Sequence, residues 1–474
     1  MARKIFKTID VDIDAGTHDD KLYTAALHPW RSWLRRQMLP LVRKETPWIA
    51  AMQKRIRTPF FDHYFLWTAN LGTHTFFMVF LPILIWFGNA QLGRSISCLA
   101  SFGVFWSGFF KDFMCLPRPL SPPVHRLTMS IGAAFEYGFP STHTTNSVSV
   151  ALYLIAVACD TFAPESPIRM FCILGAMFYA FSVVFGRIYC GMHSVTDVVG
   201  GAILAYILYW FQWTFREALD SFVTDDSYWI FLTIPICLIF VGIHPDPIER
   251  CPCFEDSVCF MGVVMGIYPG SWVCYRSEIC QLGLKSSALT SSFDLKDIAL
   301  TLMKIIIGVA LLFIWRMACK KVCYFILPPI YRAFNLPHRK FEIGARTYKS
   351  LNKESIHPIP SVLDLRGLAK SVSDAEHVGI QSGIDLHERR VAECKNRRKE
   401  NNMFLDEKEV HSHSVPSTPP VSSSLYDDNT LSMLIVEDAP LRYDVDIVTK
   451  LIVYAGIGLV AVFPAPVLFQ LIFG

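Results

Sequence analysis

Three short polar stretches interrupt a chain otherwise rich in apolar runs: KDFMCLPRP at 111–119, FPSTHTTNS at 139–147 and GRIYCGMHSVTD at 186–197. The first sets Lys111 and Arg118 seven positions apart, the second places Ser141, Thr142 and His143 after Pro140, and the third spaces Arg187, His193 and Asp197 as R-x5-H-x3-D. Together they supply three cations, two imidazoles, a hydroxyl, a carboxylate and the free backbone N–H groups of a helix starting near Ser141. That set suits a phosphate monoester. Cations and helix amino-terminal N–H groups neutralise non-bridging oxygens, and a planar guanidinium grips two of them at once. Phosphoryl transfer asks mainly for positioning and charge stabilisation. His193 can attack phosphorus through one ring nitrogen while Asp197, four residues on and therefore on the same helical face, accepts the proton of the other. His143 can protonate the departing alkoxide and then activate the hydrolytic water. The scheme needs no metal and no cofactor, and the sequence carries no carboxylate cluster suited to magnesium.

Each stretch alone has a structural reading: snorkelling cations at Lys111 and Arg118, a helix cap at Ser141, an interfacial imidazole at His143, a hydrogen-bonded pair at His193 and Asp197. What weighs against three coincidences is their position. Ionisable groups at membrane edges are costly and mark function.

The elements that must hold these groups are apolar. With 52% hydrophobic, 14% aromatic and 18% charged residues in 474, the chain has too little polar surface for a soluble globule. Windows lacking charge at 71–88, 95–110, 144–159, 170–186, 198–215, 227–245, 257–275 and 451–474, with 298–315 holding only Lys304, predict an all-α polytopic membrane bundle of about nine spans. Two of these, 144–159 and 170–186, separate the second polar stretch from the third, and an even number of crossings returns the chain to one face. All three stretches are thus expected at a single membrane surface.

Four regions follow: a basic preamble at 1–58, a membrane domain of eight spans at 59–337, a polar linker at 338–445 whose charge runs and Ser/Thr/Pro content predict disorder, and a terminal apolar span at 446–474. In the preamble, HPWRSWLRRQMLPLVRK puts Trp30, Trp33, Leu34, Met38 and Leu41 on one helical face, which fits either a helix lying in the headgroup plane or one packed on a neighbour. The amino terminus lacks the apolar core of a cleaved signal peptide, so the first span is expected to serve as the targeting signal. A net charge of +3 gives no case for nucleic acid binding. Cys251 and Cys253, in the CPC loop, leave a disulfide or a metal ligand open.

The three stretches resemble K-x6-R-P, P-S-x-H and S-R-x5-H-x3-D, the three-part signature of the type 2 phosphatidic acid phosphatase superfamily, which includes lipid phosphatases, glucose-6-phosphatase and vanadium haloperoxidases. The resemblance implies a six-helix phosphatase/haloperoxidase-like core. It assigns phosphate binding to Lys111, Arg118, Ser141, Thr142 and Arg187, general acid to His143, nucleophile to His193 and its orienter to Asp197. Thr142 stands where the usual pattern has glycine, and Gly186 where it has serine. Those departures, with NLGTHTFFMVFLPILIWFG, YGFPSTHTTNS and RIYCGMHSVTDVVGG, look most like the sphingosine-1-phosphate and dihydrosphingosine-1-phosphate phosphatases of the endoplasmic reticulum. A phosphorylated sphingoid base is the substrate this implies, in a multi-pass protein of that membrane with the site facing the lumen. Lys54, Arg55 and Arg57 before the first span, with Arg316, Lys320 and Lys321 after the eighth, pull toward a cytosolic face instead. A lipid phosphotransferase of the sphingolipid synthase kind, and a non-catalytic scaffold or transporter, are the rival readings; oligomeric state is left open.

Overall fold

The computed structural model of the chain describes residues 14–18, 20–72, 74–128, 136–245, 248, 251–287, 295–334 and 444–473. The polar linker expected at 338–445 lies, apart from its last two residues, outside them. Every regular element among the described residues is helical. In chain order they are α1 Asp20–Ala26, α2 Pro29–Ile56, α3 Pro59–Thr68, α4 His74–Phe87, α5 Ala90–Met114, α6 Thr142–Thr161, α7 Pro167–Tyr189, α8 Val195–Thr214 and α9 Arg216–Thr224. After these come α10 Thr233–Ile243, α11 Cys253–Arg276, α12 Glu278–Ser287, α13 Leu295–Ala333, α14 Val445–Val462 and α15 Pro464–Phe473.

Among the described residues five segments are long and apolar enough to cross a membrane: α7, α8, α11, Lys296–Tyr331 within α13, and Val445–Phe473 across α14 and α15. Two bent pairs, Pro59–Leu71 with Phe76–Phe87 and Arg216–Thr224 with Tyr228–Ile243, raise the number to seven if each is one span. The expected nine is not reproduced by length and apolar content alone: the windows at 95–110 and 144–159 fall on α5 and α6, which are not among these segments. The reason is their composition. Ser97, Ser101 and Ser107 of α5 and Thr144, Thr145, Asn146, Ser147 and Ser149 of α6 are buried against protein, so these helices carry small polar side chains where a lipid-facing helix carries large apolar ones. On α7 the balance reverses, with Phe171, Phe178 and Phe181 exposed on its outer face.

α6 packs against α5, α7 and α8, and α5 also packs against α11. On the far side α11 and α14 make the most extensive helix pair, backed by α13. Around them Trp86, Ile267, Leu312, Val453, Ile457 and Phe469 form one apolar cluster, and the Trp86 indole N–H donates to the Ala461 carbonyl at 2.7 Å. The pair is close because glycine lines it: a Cβ on Gly266 would lie 1.9 Å from the Ala455 carbonyl oxygen, and Gly262 and Gly270 meet α14 one turn away on either side. The spacing G-x3-G-x3-G at 262–270 was a readable signal for this contact.

The open alternative at Cys251 and Cys253 resolves as a disulfide between them, and Cys274 pairs with Cys280, a bridge the sequence reading did not anticipate. α2 keeps both properties of its amphipathic pattern, with Trp30, Trp33 and Leu41 exposed while Arg35, Leu39, Val42, Ile49 and Gln53 are buried against the rest of the protein.

Replacing Gly266 by valine forces α11 and α14 apart. Overpacking of this kind costs about 1–3 kcal/mol, so the G266V protein is expected to melt several degrees below wild type in detergent; an unchanged melting temperature would show that the helices do not meet at this glycine.

Candidate active site

The site lies where α5 ends and α6 and α8 begin. α5 stops at Cys115, in left-handed conformation at φ 50°, and the chain then runs through the polar segment that carries Arg118. α6 starts on an N-cap: the Ser141 hydroxyl oxygen accepts from the Thr144 N–H at 3.4 Å and from the Thr144 hydroxyl at 3.0 Å. Because that oxygen is the acceptor twice, the hydrogen of Ser141 remains available to donate. α8 starts on a capping box, with the Ser194 hydroxyl accepting from the Asp197 N–H at 3.1 Å and Asp197 Oδ2 accepting from the Ser194 N–H at 2.8 Å. The Ser141 N–H donates to the Asp197 carbonyl at 3.0 Å, which locks the two helix starts together.

Around this junction the three polar stretches converge. Arg118 Nη1 donates to the Met192 carbonyl at 2.8 Å and lies 3.1 Å from His193 Nε2. A guanidinium can only donate, so Nε2 is the unprotonated nitrogen and the ring hydrogen sits on Nδ1. Nδ1 is 3.5 Å from Asp197 Oδ2, longer than a direct hydrogen bond, as catalytic pairs often are before substrate binds. Lys111, Arg118, His193 and Asp197 are buried to 2% exposure or less. His143 lies within electrostatic reach of Arg187, Lys111 and Arg118, and His193 within reach of Arg118, Arg187, Lys111 and His143. Arg187, on the last turn of α7, holds the loop with its carbonyl, which accepts from the N–H groups of Met192 and His193 at 3.1 and 3.3 Å. Its Nε has no hydrogen-bond partner among the described residues, a donor left over for an anion.

Thr142 is the one expected phosphate ligand whose side chain turns elsewhere: its hydroxyl pairs with Ser107 of α5 at 2.9 Å, leaving its backbone N–H as what it can offer. Gly186, the other departure from the pattern, makes room for a neighbour. A Cβ there would stand 3.0 Å from the Phe65 ring.

Sequence reasoning missed two sets of residues. Glu136 lies in the cradle itself, paired with Lys111 Nζ through Oε1 and with Arg118 Nη2 through Oε2 at 2.6 Å. Its signal was faint: it is the lone acidic residue between Asp112 and Asp160. The second set is on α2, which straps the site from outside. Arg31 donates to the carbonyls of Asp112 and Phe113 at the end of α5, a cation at a helix carboxyl terminus. Arg35 donates to the Cys115 carbonyl at 3.1 Å, the Gln53 amide to the carbonyls of His125 and Tyr189, both at 2.8 Å, and Glu45 accepts from the N–H and hydroxyl of Thr196 at the start of α8.

Comparisons with known proteins point to one family. Residues 91–220, from α5 through most of α9, match the PAP2 superfamily. A dihydrosphingosine 1-phosphate phosphatase of Schizosaccharomyces pombe is 32% identical over 93% of this chain and 90% of its own length. A dihydrosphingosine 1-phosphate phosphatase of Saccharomyces cerevisiae is 31% identical over 66% of this chain and 76% of its own, and sphingosine-1-phosphate phosphatase 2 of Homo sapiens is 26% identical over 63% and 73%. No solved structure matches the chain. The chain belongs to the PAP2 superfamily. It is an enzyme, a phosphoric monoester hydrolase.

Burial, with the added charges of Arg118, Arg187 and Lys111, holds the His193 imidazole well below its ordinary 6.5. The ring is therefore neutral through the physiological range and takes up a proton only as pH falls well below 6.5. In protein carrying ring-labelled histidine, with His193→Ala to assign the signal, NMR is expected to find no titration of this residue near 6.5; an ordinary titration there would contradict the buried, cation-ringed setting.

Proposed function

We propose that the chain hydrolyses long-chain base 1-phosphates, such as sphingosine or dihydrosphingosine 1-phosphate, without a metal, through a phosphohistidine on His193. The observation that carries the chemistry is the arrangement at Arg118 and His193: an unprotonated Nε2 beside a guanidinium, with Arg187 and Lys111 within electrostatic reach and Glu136 paired to Lys111 and Arg118. The names of the relatives carry the substrate class.

Substrate phosphate takes the donors of Lys111, Arg118 and Arg187, the Ser141 hydroxyl and the N–H groups opening α6, the Thr142 N–H among them. His193 Nε2 then attacks phosphorus. The N–P bond forms as the ester P–O bond breaks, and His143, which burial and the cradle cations disfavour in its charged form until the bound phosphate offsets them and lets it take up a proton, gives that proton to the departing alkoxide, releasing the lipid alcohol. Asp197 steadies the positive charge that grows on the ring by accepting the Nδ1 hydrogen. Water next loses a proton to His143 and attacks phosphorus; the N–P bond breaks, inorganic phosphate leaves and the resting state returns. Cations supply the charge stabilisation that a metal supplies elsewhere. An amphiphile suits this location, because its tail partitions into the bilayer and brings its headgroup to a site at the bundle's edge.

Purified protein, with divalent cations chelated, is expected to release inorganic phosphate from a long-chain base phosphate in the absence of any acceptor lipid. His193→Ala is expected to lower that rate by about a thousandfold or more, as loss of a nucleophile does. Retained hydrolysis by the variant refutes the nucleophile, loss of activity with the chelator refutes the metal-free route, and phosphate release only when an acceptor alcohol is added points to a phosphotransferase.

We place the site on the lumenal face of the endoplasmic reticulum membrane, with the amino terminus on that same face. An Asn-x-Thr acceptor introduced in the loop 120–130 is expected to gain a glycan in cells; an unmodified product, alongside a modified control acceptor of known lumenal exposure, would put the site in the cytosol.

A further inference from the structure

The cradle is closed by a group for which the hydrolysis scheme has no use. Glu136 occupies the donors that substrate phosphate needs: Oε1 is on Lys111 Nζ and Oε2 on Arg118 Nη2. Its side chain keeps 27% of its exposure while those of Lys111 and Arg118 keep 2% each, so the carboxylate is the member of the trio nearest to solvent. Burial opposes its charge, but Lys111 and Arg118 outweigh that and hold the carboxyl below its ordinary range. A phosphate dianion carries more charge than a carboxylate and makes more hydrogen bonds, so it displaces this one.

The displaced carboxylate cannot go far. The Glu136 carbonyl accepts from Arg118 Nε at 2.9 Å, and two residues later the Gly138 N–H donates to the Leu116 carbonyl at 2.8 Å. With its main chain tied on both counts, Glu136 stays beside the phosphate it has made way for. A carboxylate left there without a cation pays both desolvation and repulsion from the phosphate. A long-chain base 1-phosphate brings the remedy, an ammonium group two carbons from the ester oxygen. A phosphatidic acid brings none.

We propose that Glu136 is a displaceable carboxylate that fills the anion cradle when it is empty and, once substrate phosphate has expelled it from Lys111 and Arg118, pairs with the ammonium group beside that phosphate. The inference rests on the long-chain base reading and adds to it the residue that selects for the amine. It acts on substrate choice and on entry to the cradle, apart from the proton transfers at His143 and His193.

The test uses full-length wild type and Glu136→Gln, which keeps the side chain's size and removes its charge, in detergent micelles. The substrates are dihydrosphingosine 1-phosphate and its 2-deamino analogue, and orthovanadate is the probe of the cradle. Wild type is expected to prefer the amine by about tenfold or more in kcat/KM, the worth of one charged hydrogen bond. Glu136→Gln is expected to lose that preference and to bind orthovanadate about tenfold more tightly, read both as inhibition and as a shift in melting temperature. An equal fall on both substrates with unchanged vanadate binding makes Glu136 a structural residue and overturns the proposal. Wild type that cleaves both substrates equally overturns the ammonium role while leaving the long-chain base reading in place. Wild type that cleaves neither substrate sinks that reading, and the ammonium role with it; the vanadate shift then decides the displacement on its own.

Discussion

Three like charges, Lys111, Arg118 and Arg187, are held out of water at one edge of a helical bundle, and each of them repels the other two. Taking a cation out of water costs several kcal/mol unless an anion or a set of acceptors answers it. Much of the architecture can be read as that answer. Glu136 pairs with two of the three cations, the Met192 and Glu136 carbonyls accept from Arg118, and Asp197 stands by the imidazole that burial, with the same cations, keeps neutral. What remains is a net positive cluster whose complement is a phosphate. The same repulsion that makes the empty site costly makes an anion welcome.

Holding the charges together requires rigid walls, and these come from helices whose ends rather than middles do the work. α6 and α8 present amino termini at the site, joined by the bond from Ser141 to the Asp197 carbonyl. α5 presents its carboxyl terminus, where exposed carbonyls would oppose an anion; Arg31 and Arg35 of α2 cover them. α2 thus serves as a brace that touches α5, the loop that follows it, the end of α7 and the start of α8, and the glycine-lined α11 and α14 pair anchors the far side of the bundle.

How much of this was legible depended on whether a residue announces itself by pattern. The eight expected site residues fall in three short runs with fixed spacing, and the structure brings Lys111, Arg118, His143, Arg187, His193 and Asp197 within electrostatic reach of one another. Glu136 belongs to no run: its partners are 25 and 18 positions away, a relation no local period encodes. The α2 helix was recognisable from its apolar stripe, yet that stripe alone hid which side would face the protein. Arginines turn inward only when carbonyls await them, and those carbonyls belong to a helix end some 80 residues on. Lipid exposure was not legible for a related reason, since absence of charge in the windows on α5 and α6 looks the same whether small polar side chains meet protein or lipid.

The most direct check on a single anion cradle facing a neutral imidazole is an experimental structure of the protein with orthovanadate. The account predicts one vanadate, bonded or in line with His193 Nε2, contacted by Lys111, Arg118 and Arg187, with the Arg118 donor moved from the ring nitrogen to the oxyanion. Vanadate bound away from His193, or the two histidines opening onto separate pockets, would contradict it.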